Sequence, residues 1–426
     1  MRWLIVEDAL KNRTGHWLEW VTTFDRGLRE LGDEVTVLAD REVEDDIRDS
    51  LRAEAILPRS IWHRLGDGAG PLTRYSRVVT HNWQTGRVMD HYLRNRTGFD
   101  AIFVPTVSVH HLLAWTRLIK HTLRGRKTRV LLFFLTAPVK NGLAGTPIPD
   151  GSPTGRLLRA TLGWLAPEIR TGKVVLGVET KAMQCAFETL SGLPFVWFPQ
   201  PVTPPVREAR PHGEQIKMAC FGAARAEKGS DVLQEAIRLY LREKRGSRAH
   251  FTIQWIDNFT AGGRLITKAA DLETDSRVNF VTRYFREGEY AKHLQQTDVM
   301  LLPYRLDSYA LRGSRVVIEA AVNGIPVIVT SGTTLASIAE AFRTGIECKD
   351  GNPQSLAEAI GQMEQGFEEM SEQARRMKST AVDLFSVKQF RRIFLASATG
   401  TNAEPTAKPM GNGAVEPSKE GATHEF

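Results

Sequence analysis

Cysteine is scarce in this chain, and the three cysteines form no recognisable pattern. Cys185, Cys220 and Cys348 lie far apart in a sequence of 426 residues, with no CxxC pair and no histidine nearby at metal-ligand spacing. This spacing indicates neither a disulfide framework nor a zinc site. Because free thiols persist in reducing compartments, we expect the protein in the cytoplasm.

A long hydrophobic run is absent too. The strongest one, VLLFFLTAPV at residues 130–139, has about half of the ~20 residues that a membrane-spanning helix needs. The opening MRWLIVED is too short for the apolar region of a signal peptide and has no small-residue cleavage pattern. We therefore expect neither a signal peptide nor a membrane-spanning helix, and we interpret the opening as a first strand.

Large apolar residues are nearly missing from the last part of the chain, TGTNAEPTAKPMGNGAVEPSKEGATHEF. Such a segment cannot offset the entropy cost of ordering, so residues 399–426 are expected to be disordered. The whole chain has an ordinary globular composition, with 42% hydrophobic and 25% charged residues. A net charge of +7 favours an anionic ligand, a polyanion or a membrane surface, without choosing among them.

Short apolar runs alternate with longer amphipathic segments along the chain. In the first half RWLIVE, EVTVLA, AIFVPT, VLLFFLT and VVLGVE are apolar almost throughout, as in strands buried on both faces of a parallel sheet. Between the first two, Trp20, Phe24 and Leu28 recur at helical spacing, and the pattern ends at Gly32. Because the second half repeats this alternation, the sequence predicts an α/β protein with two Rossmann-like, doubly wound domains.

Composition also suggests where the domains meet. Between residues 193 and 215 proline is densest and helical periodicity is lost, which predicts a hinge. The predicted parts are an amino-terminal domain, a proline-rich hinge, a carboxyl-terminal domain, a last helix that could cross back to the amino-terminal domain, and the tail. Their limits are residues 1–197, 198–215, 216–380, 381–398 and 399–426.

The turn after the first strand of the second half is a candidate anion site. Residues 220–237, CFGAARAEKGSDVLQEAI, join a short strand to an amphipathic helix through small residues. A turn at Gly222 would let backbone N–H groups approach a ligand, and the helix start would add partial positive charge. Arg225 and Lys228 would add full charges. The alternative interpretation, two solvated cations in a loop, fits the same pattern.

A second polar group follows a later strand. Residues 298–330, DVMLLPYRLDSYALRGSRVVIEAAVNGIPVIVT, predict strand, polar loop, helix, glycine turn and strand. Ligands of open α/β sheets bind at the carboxyl ends of such strands. Glu319 lies in an apolar helix, so it needs a hydroxyl or a cation to bind; an internal cap or a buried ion pair is the alternative. The loop residues are Tyr304, Asp307, Ser308, Tyr309, Arg312, Gly313 and Ser314.

Three stretches resemble a known family. GAARAEKGSDVLQEA, EYAKHLQQTDVMLLPY and RGSRVVIEAAVNGIPVIVT look like the carboxyl-terminal half of the retaining family-4 glycosyltransferases (glycosyl transferases group 1) of GT-B fold. The resemblance covers residues 216–396 well. In the amino-terminal half it is weaker and rests on RTGHW, LRELGDEVTVLA and VVLGVET. It implies two domains that face each other across a cleft, with the acceptor on the amino-terminal side and a nucleotide-sugar donor on the other.

The resemblance implies roles for individual side chains. Arg225 and Lys228 would grip the donor diphosphate, the leaving group on which negative charge grows. Glu319 resembles the second glutamate of the family's E-x7-E motif, which binds the donor ribose hydroxyls. The other donor-binding candidates are Gly15, Gly222, Tyr284, Tyr304, Tyr309, Arg312, Gly313 and Ser314.

One position departs from the family pattern. Leu311 stands eight residues before Glu319, where the family has the first glutamate of its motif. The contacts to the transferred sugar are therefore open. Ser314 could bind phosphate, while Tyr309 or Arg312 shapes the sugar pocket.

The segment RTGHW puts Gly15 and His16 just after the first strand, where the family has a glycine-rich loop that faces the donor phosphates. We count His16 among the catalytic candidates, because it could donate a hydrogen bond to a phosphate or to the acceptor. A helix-capping or packing role explains it equally well. A helix start packed on the sheet explains His110 and His111 in the same way.

The implied reaction moves a sugar from a nucleoside-diphosphate donor to a hydroxyl acceptor with retention, in polysaccharide or glycolipid biosynthesis. In this family the leaving diphosphate is thought to help deprotonate the acceptor, so no side-chain nucleophile is needed. No metal, and no cofactor other than the donor as co-substrate, is expected. The carboxylates of EVEDDIRDSL, residues 42–51, are interpreted as a solvated helix face.

Positive charge is concentrated in WTRLIKHTLRGRKTRV, residues 115–130, and around HYLRNRTG. Such a surface suits peripheral contact with an anionic membrane near a lipid-linked or saccharide acceptor, and a solvated basic helix is the alternative. No nucleic-acid-binding motif is present. We therefore expect a cytoplasmic protein at the inner face of the cell membrane.

Two other functions fit the same sequence. A non-hydrolysing sugar-nucleotide epimerase shares the two-domain architecture, but it needs carboxylates and histidines for acid–base catalysis that the sequence does not place in the cleft. The missing first glutamate could instead mark a degenerate, non-catalytic GT-B scaffold in a polysaccharide assembly complex.

Overall fold

The computed structural model describes residues 1–13, 17–61, 70–136, 139–141, 147–202, 213–286 and 288–397. Within these residues, strands β1 to β17 are Arg2–Glu7, Glu34–Asp40, Glu54–Leu57, Ala101–Val107, Arg129–Phe134, Val139–Asn141, Pro147–Pro149, Val174–Val178, Val196–Trp197, Ile216–Cys220, Ala249–Gln254, Phe259–Ala261, Arg264–Ile266, Val278–Val281, Val299–Leu302, Val327–Thr330 and Gly345–Cys348.

The α-helices of the described residues are numbered α1 to α15. They are Trp17–Glu30, Asp45–Leu51, Pro71–Asn95, Leu112–Arg117, Pro153–Arg170, Lys181–Ser191, Ser230–Glu243, Ala270–Glu273, Glu289–Gln296, Leu306–Tyr309, Arg315–Val322, Thr334–Phe342, Pro353–Gln365, Phe367–Leu384 and Val387–Ala396. Val109–His111 and Ala226–Lys228 are 3-10 turns, and Leu118–Thr122 is a π-helical turn.

Two large parallel sheets form the centres of the two halves. The first has the strand order β3-β2-β1-β4-β5-β8-β9, and the second has the order β14-β11-β10-β15-β16-β17. Every pair of neighbouring strands in both sheets is parallel. Their apolar side chains are covered by helices, as in β1, where all residues after Arg2 are buried. The predicted fold class, two doubly wound α/β domains, is confirmed.

The strand order reverses at one point in each sheet. Strand β1 lies between β2 and β4, and β10 lies between β11 and β15. At such a point successive helices leave toward opposite faces of the sheet, so a crevice opens at the carboxyl ends of the strands. The residues that follow β1 and β10 therefore line the two crevices.

The last helix packs on the first half of the chain. In α15 the Phe390 ring centre lies 4.6 Å from that of Phe24 and 4.5 Å from that of Phe198. Arg391 donates hydrogen bonds of 2.6 and 3.0 Å to the two carboxylate oxygens of Asp33. The aromatic contacts and the ion pair hold α15 against α1 and the first sheet.

The predicted domain limits stay predictions. Residues 203–212 of the hinge and residues 398–426, which include the tail, lie outside the described residues. Among the helices that are described, none combines the length and the apolar character needed to cross a bilayer.

Candidate functional site

The turn after β10 folds back so that the Lys228 ammonium lies at the carboxyl end of β10, beside the Phe221 carbonyl oxygen. Gly222 has a φ of +92°, and a Cβ at this position would lie 2.2 Å from Lys228 Nζ. Glycine is therefore needed for both the backbone conformation and the space of the ammonium group. Burial lowers the pKa of Lys228, and repulsion from Arg225 and Arg312 acts in the same direction. A bound anion would favour the charged form of this lysine.

Glu227 lies between the exposed side chains of Arg225 and Arg312, two of the predicted donor-binding residues. Its Oε1 is 3.5 Å from Arg225 Nη1 and 3.9 Å from Arg312 Nη1. The two arginines come from different motifs, one after β10 and one before α11, so the structure brings the two motifs together. Exposed ion pairs of this kind are weak, and a more highly charged anion can replace them.

Tyr304 and Tyr309 form a buried support beneath the cations. Their ring centres are 4.7 Å apart, and both residues are buried. The Tyr304 ring centre lies 5.8 Å from Lys228 Nζ, and the Tyr309 ring centre lies 5.3 Å from the Arg312 guanidinium carbon. Burial raises the pKa of both phenols. These tyrosines position the two cations through ring contacts.

Glu179 reaches from the first sheet to the second half of the chain. It directly follows β8, and its Oε1 accepts a hydrogen bond of 2.7 Å from the Gly313 backbone N–H. A Cβ on Gly313 would lie 3.0 Å from the Glu179 carboxylate carbon. Beside it, the Thr180 hydroxyl donates a hydrogen bond of 2.6 Å to the Leu311 carbonyl oxygen. A carboxylate of the amino-terminal half thus lies next to Leu311, the position where the predicted motif lacks its first glutamate.

Opposing influences act on the pKa of Glu179. Burial raises its pKa to about 7, while the Gly313 N–H and the Arg312 guanidinium act against this rise. The sequence analysis missed this residue. The available signal was its place directly after a buried strand, where α/β proteins present ligand-binding side chains.

Glu319 is paired through Arg315 and Tyr290. Arg315 Nε donates a hydrogen bond of 2.9 Å to Glu319 Oε1, and the Tyr290 hydroxyl donates to Oε2. Arg315 Nη2 donates a hydrogen bond of 2.6 Å to Glu19 of α1. Arg315 Nη1 is buried and has no acceptor among the described residues. The arrangement matches the ion-pair alternative for Glu319, and it leaves one guanidinium nitrogen for a ligand oxygen.

The remaining predicted residues are less connected. Ser314 is buried and occupies the N-cap position of α11, where its side chain makes no capping hydrogen bond. Tyr284 is exposed, and its hydroxyl makes no hydrogen bond within the described part of the chain. Gly15 and His16 lie outside the described residues.

A groove of about 970 Å³ adjoins Glu19. One face of α1 forms one wall, and Phe285, Val322 and Phe385 contribute to the other. The groove therefore lies between the first half of the chain and the second, next to the Arg315 pair. Lys228 does not line it, so the groove and the cation cluster are separate parts of the interdomain surface.

Asp8, His81 and His111 form a buried polar group at the carboxyl end of β1. Asp8 Oδ2 lies 3.3 Å from His81 Nε2 and 3.5 Å from His111 Nε2. The Ser108 backbone N–H donates a hydrogen bond of 3.1 Å to His111 Nδ1, so in the neutral ring the proton is on Nε2 and faces Asp8. A metal at Nε2 would require the proton on Nδ1 instead. The hydrogen bonds therefore fit an aspartate–histidine network better than a metal site.

Residues 215–365 match the model of the family described as glycosyl transferases group 1. These residues carry the turn at Gly222, the cations Arg225, Lys228 and Arg312, and Glu319. No curated protein sequence gives a significant match.

Solved structures resemble nearly the whole chain. Anabaena HepE in complex with UDP has 13% identity and a TM-score of 0.60, covering 94% of this chain and 100% of HepE. A glycosyltransferase from Rickettsia africae has 11% identity and a TM-score of 0.61, covering 94% and 98%. Sucrose-phosphate synthase from Thermosynechococcus elongatus has 14% identity and a TM-score of 0.59, covering 94% and 100%. The chain therefore has the GT-B fold, and its residues 215–365 are similar to the glycosyl transferases group 1.

Proposed function

We propose that this protein transfers a sugar from a nucleoside-diphosphate donor to a hydroxyl acceptor with retention of configuration. The observation that carries the proposal is the convergence of Lys228, Arg225 and Arg312 around the Gly222 turn, at the crevice beside β10. The match of residues 215–365 to the model of glycosyl transferases group 1 supports a sugar-transfer reaction. HepE was solved with UDP and with UDP-glucose, which supports testing uridine diphosphate sugars first.

The three cations match the needs of a diphosphate leaving group. Negative charge grows on the β-phosphate as the glycosidic bond breaks, and charge-assisted contacts formed in advance stabilise it. Lys228 is the best placed, because its partly desolvated ammonium gains most from a bound anion. Arg225 and Arg312 would exchange Glu227 for phosphate oxygens. These positive charges are the reason that we propose a reaction without a metal.

The nucleoside would extend from the cations toward α11. Arg315 Nη1 is the buried donor that a ribose or phosphate oxygen could satisfy, and Glu319 would accept ribose hydroxyls after releasing Tyr290. His16 and Gly15 remain candidates for the opposite wall of the cleft. Tyr304 and Tyr309 act by supporting the cations, and Ser314 contributes through the start of α11.

The acceptor, the pathway, the location and the domain limits are further parts of the proposed function. We propose a lipid-linked or saccharide acceptor, a role in polysaccharide or glycolipid biosynthesis, and a cytoplasmic location with peripheral contact to the inner face of the cell membrane. We also propose that residues 1–197 form the acceptor-side domain, 198–215 a hinge, 216–380 the donor domain and 381–398 a helix that returns to the first domain.

The first experiment is a panel of uridine, guanosine, adenosine and thymidine diphosphate sugars in thermal unfolding of the full chain. A donor that binds only the folded protein raises Tm with concentration. The K228Q variant should lose this rise, and the matched K244Q variant, which changes an exposed lysine just after α7, should keep it. A panel without any stabilising nucleotide would contradict both the enzyme and its donor site.

The donor found in this way is then incubated with lipid-linked and saccharide acceptors. NMR of the product gives its anomeric configuration, and a chelator in a parallel reaction tests the need for a metal. Release of nucleoside diphosphate with a retained linkage supports the proposal. Conversion of the donor into an epimer supports the epimerase alternative instead. Donor binding without turnover on any acceptor would leave a non-catalytic role for this site.

A further inference from the structure

Two helices of the amino-terminal half expose large apolar side chains to solvent. In α3, Tyr75, Val79 and Trp83 are 72%, 46% and 58% exposed, and their spacing of four residues puts them on one helix face. In α5, Trp164 is 55% exposed. Single exposed apolar residues are ordinary, but an aligned aromatic set indicates an interaction surface.

The two helices belong to one layer on the same side of the first sheet. Helix α4 packs against both α3 and α5. Asn82 of α3 fixes this packing, because its Oδ1 accepts the Ala114 N–H at 2.8 Å and its amide donates to the His110 carbonyl oxygen. On the other side, Lys120 donates hydrogen bonds of 3.1 Å to both carboxylate oxygens of Glu168 in α5. The exposed aromatic residues therefore stand on a rigid helical layer.

The same layer carries a strong excess of positive charge. The acidic residues Asp90 of α3 and Glu168 of α5 are each paired with a cation of the layer, Arg94 and Lys120. The Arg87 guanidinium carbon lies 5.7 Å from the Trp83 ring centre. Further exposed arginines of the two helices, without an acidic partner among the described residues, are Arg74, Arg156, Arg159 and Arg170.

The segment predicted from sequence to contact the membrane supplies little apolar surface. Trp115, Leu118, Ile119 and Leu123 of residues 115–130 are buried in the first core. The apolar part of a membrane contact must therefore come from another surface. The outer face of α3 and α5 combines aromatic rings with arginines, as peripheral proteins do at the boundary between lipid headgroups and acyl chains.

We propose that this face, defined by Tyr75, Val79, Trp83 and Trp164 with the surrounding arginines, docks on an anionic phospholipid bilayer. The arginines contact lipid phosphates, and the rings lie at the headgroup level. Helices α3 and α5 both begin at the edge of the sheet where the strands end, so their first turns, with Tyr75 of α3, lie on the side of the sheet where the crevice opens. This inference rests on the proposed function in one respect: a lipid-linked acceptor would give the enzyme a reason to dock on a membrane.

The test uses the full chain and sedimentation with vesicles. One set of vesicles contains phosphatidylcholine alone, and the other also contains phosphatidylglycerol. The wild type should bind the anionic vesicles at least about tenfold more tightly than the neutral ones, and added salt should weaken this binding. No donor or acceptor is present, so the result does not depend on sugar transfer.

Two variants separate the parts of the surface. The Y75S/W83S/W164S variant should lose about tenfold or more of the affinity for anionic vesicles. The R156Q/R159Q variant should lose the preference for anionic over neutral vesicles. The L265S variant is the matched control, because Leu265 is an exposed apolar residue of the carboxyl-terminal half, and it should bind as the wild type does.

Thermal unfolding with the nucleotide sugar establishes that each variant is folded and binds donor. Equal binding of the wild type to neutral and anionic vesicles would overturn the proposal. It would also be overturned if the aromatic variant bound as the wild type does. Concentration-dependent dimerisation that the aromatic variant abolishes, without vesicle binding, would assign the face to a protein partner instead. A normal donor response in these variants keeps the proposed function intact in each case.

Discussion

Replacing Glu179 with glutamine should make the protein more stable at high pH and change little at low pH. In the folded protein the pKa of Glu179 is raised from 4.5 to about 7, chiefly by burial. The unfolded chain therefore loses this proton more readily than the folded one. The contribution of protonated Glu179 to stability is complete below about pH 4.5 and is lost as the pH rises through about 7. Glutamine has no charge and keeps an oxygen for the Gly313 N–H.

The size of the effect follows from the same pKa. At about 1.4 kcal/mol for each pKa unit, the rise from 4.5 to about 7 disfavours the ionised form by roughly 3.5 kcal/mol at most. Part of the Glu179 surface still meets solvent and Arg312 is near, so we expect about 1–2 kcal/mol after solvent screening. For a domain of this size that corresponds to a Tm difference of about 3–6 °C.

The assay is thermal unfolding of wild type and E179Q between pH 5 and pH 8. The difference in Tm should grow with pH and level off above neutrality. Glu7, whose pKa is raised to about 8 by burial and the charge of Asp8, titrates in both proteins and cancels in the difference. The E44Q variant, which changes an exposed carboxylate of the same half, serves as control. A difference between wild type and E179Q that does not vary with pH would refute the raised pKa of Glu179 at its contact with Gly313.

Three further predictions concern the cation cluster and the last helix. Substituting Lys228 with glutamine should lower kcat/KM by about 100-fold or more, because one contact to the growing charge is lost, whereas K244Q should keep wild-type kinetics. Gly222→Ala should weaken nucleotide binding in calorimetry and destabilise the fold by about 1–3 kcal/mol, since the new Cβ meets Lys228 Nζ at a positive φ. Arg391 holds the pKa of Asp33 at about 2, so the ionised carboxylate stabilises the fold above about pH 4 and this contribution is lost as the pH falls toward 2. The D33N variant should lose about 1–2 kcal/mol at neutral pH and show no such step in its acid-unfolding curve; an unchanged curve would contradict the ion pair.

The sheets could be predicted because their central strands are buried on both faces. Such strands are continuously apolar, as VLLFFLT and VMLLPY are, and this pattern is visible without any partner. Strands β3 and β17, each at one edge of its sheet, were not predicted from the sequence. Their sequences EAIL and GIEC are mostly half-buried and mix polar with apolar residues, so a strand and a loop give the same local signal.

The candidate site also contains a part that could be predicted from sequence and a part that could not. Gly222 and Lys228 are six residues apart, so the turn that brings them together is encoded locally and could be inferred from the glycine and the cation. Glu179 and Gly313 are 134 residues apart, and their hydrogen bond depends on how two domains meet. No periodicity in either segment reports on the other. Sequence reasoning therefore found the cations and missed the carboxylate that faces them.

Glu179 affects how much electrostatic repulsion an anionic ligand meets at the cation cluster. Without a donor, Arg225 and Arg312 share Glu227, and the N–H of Gly313 is occupied by Glu179. A diphosphate bound as proposed would bring its negative charge next to both carboxylates, and the repulsion would oppose binding. Glu179 can reduce this cost, because a carboxyl group with a pKa of about 7 takes up a proton readily at neutral pH. The raised pKa is thus the property that lets one glutamate bridge the two domains and still permit an anionic ligand between them.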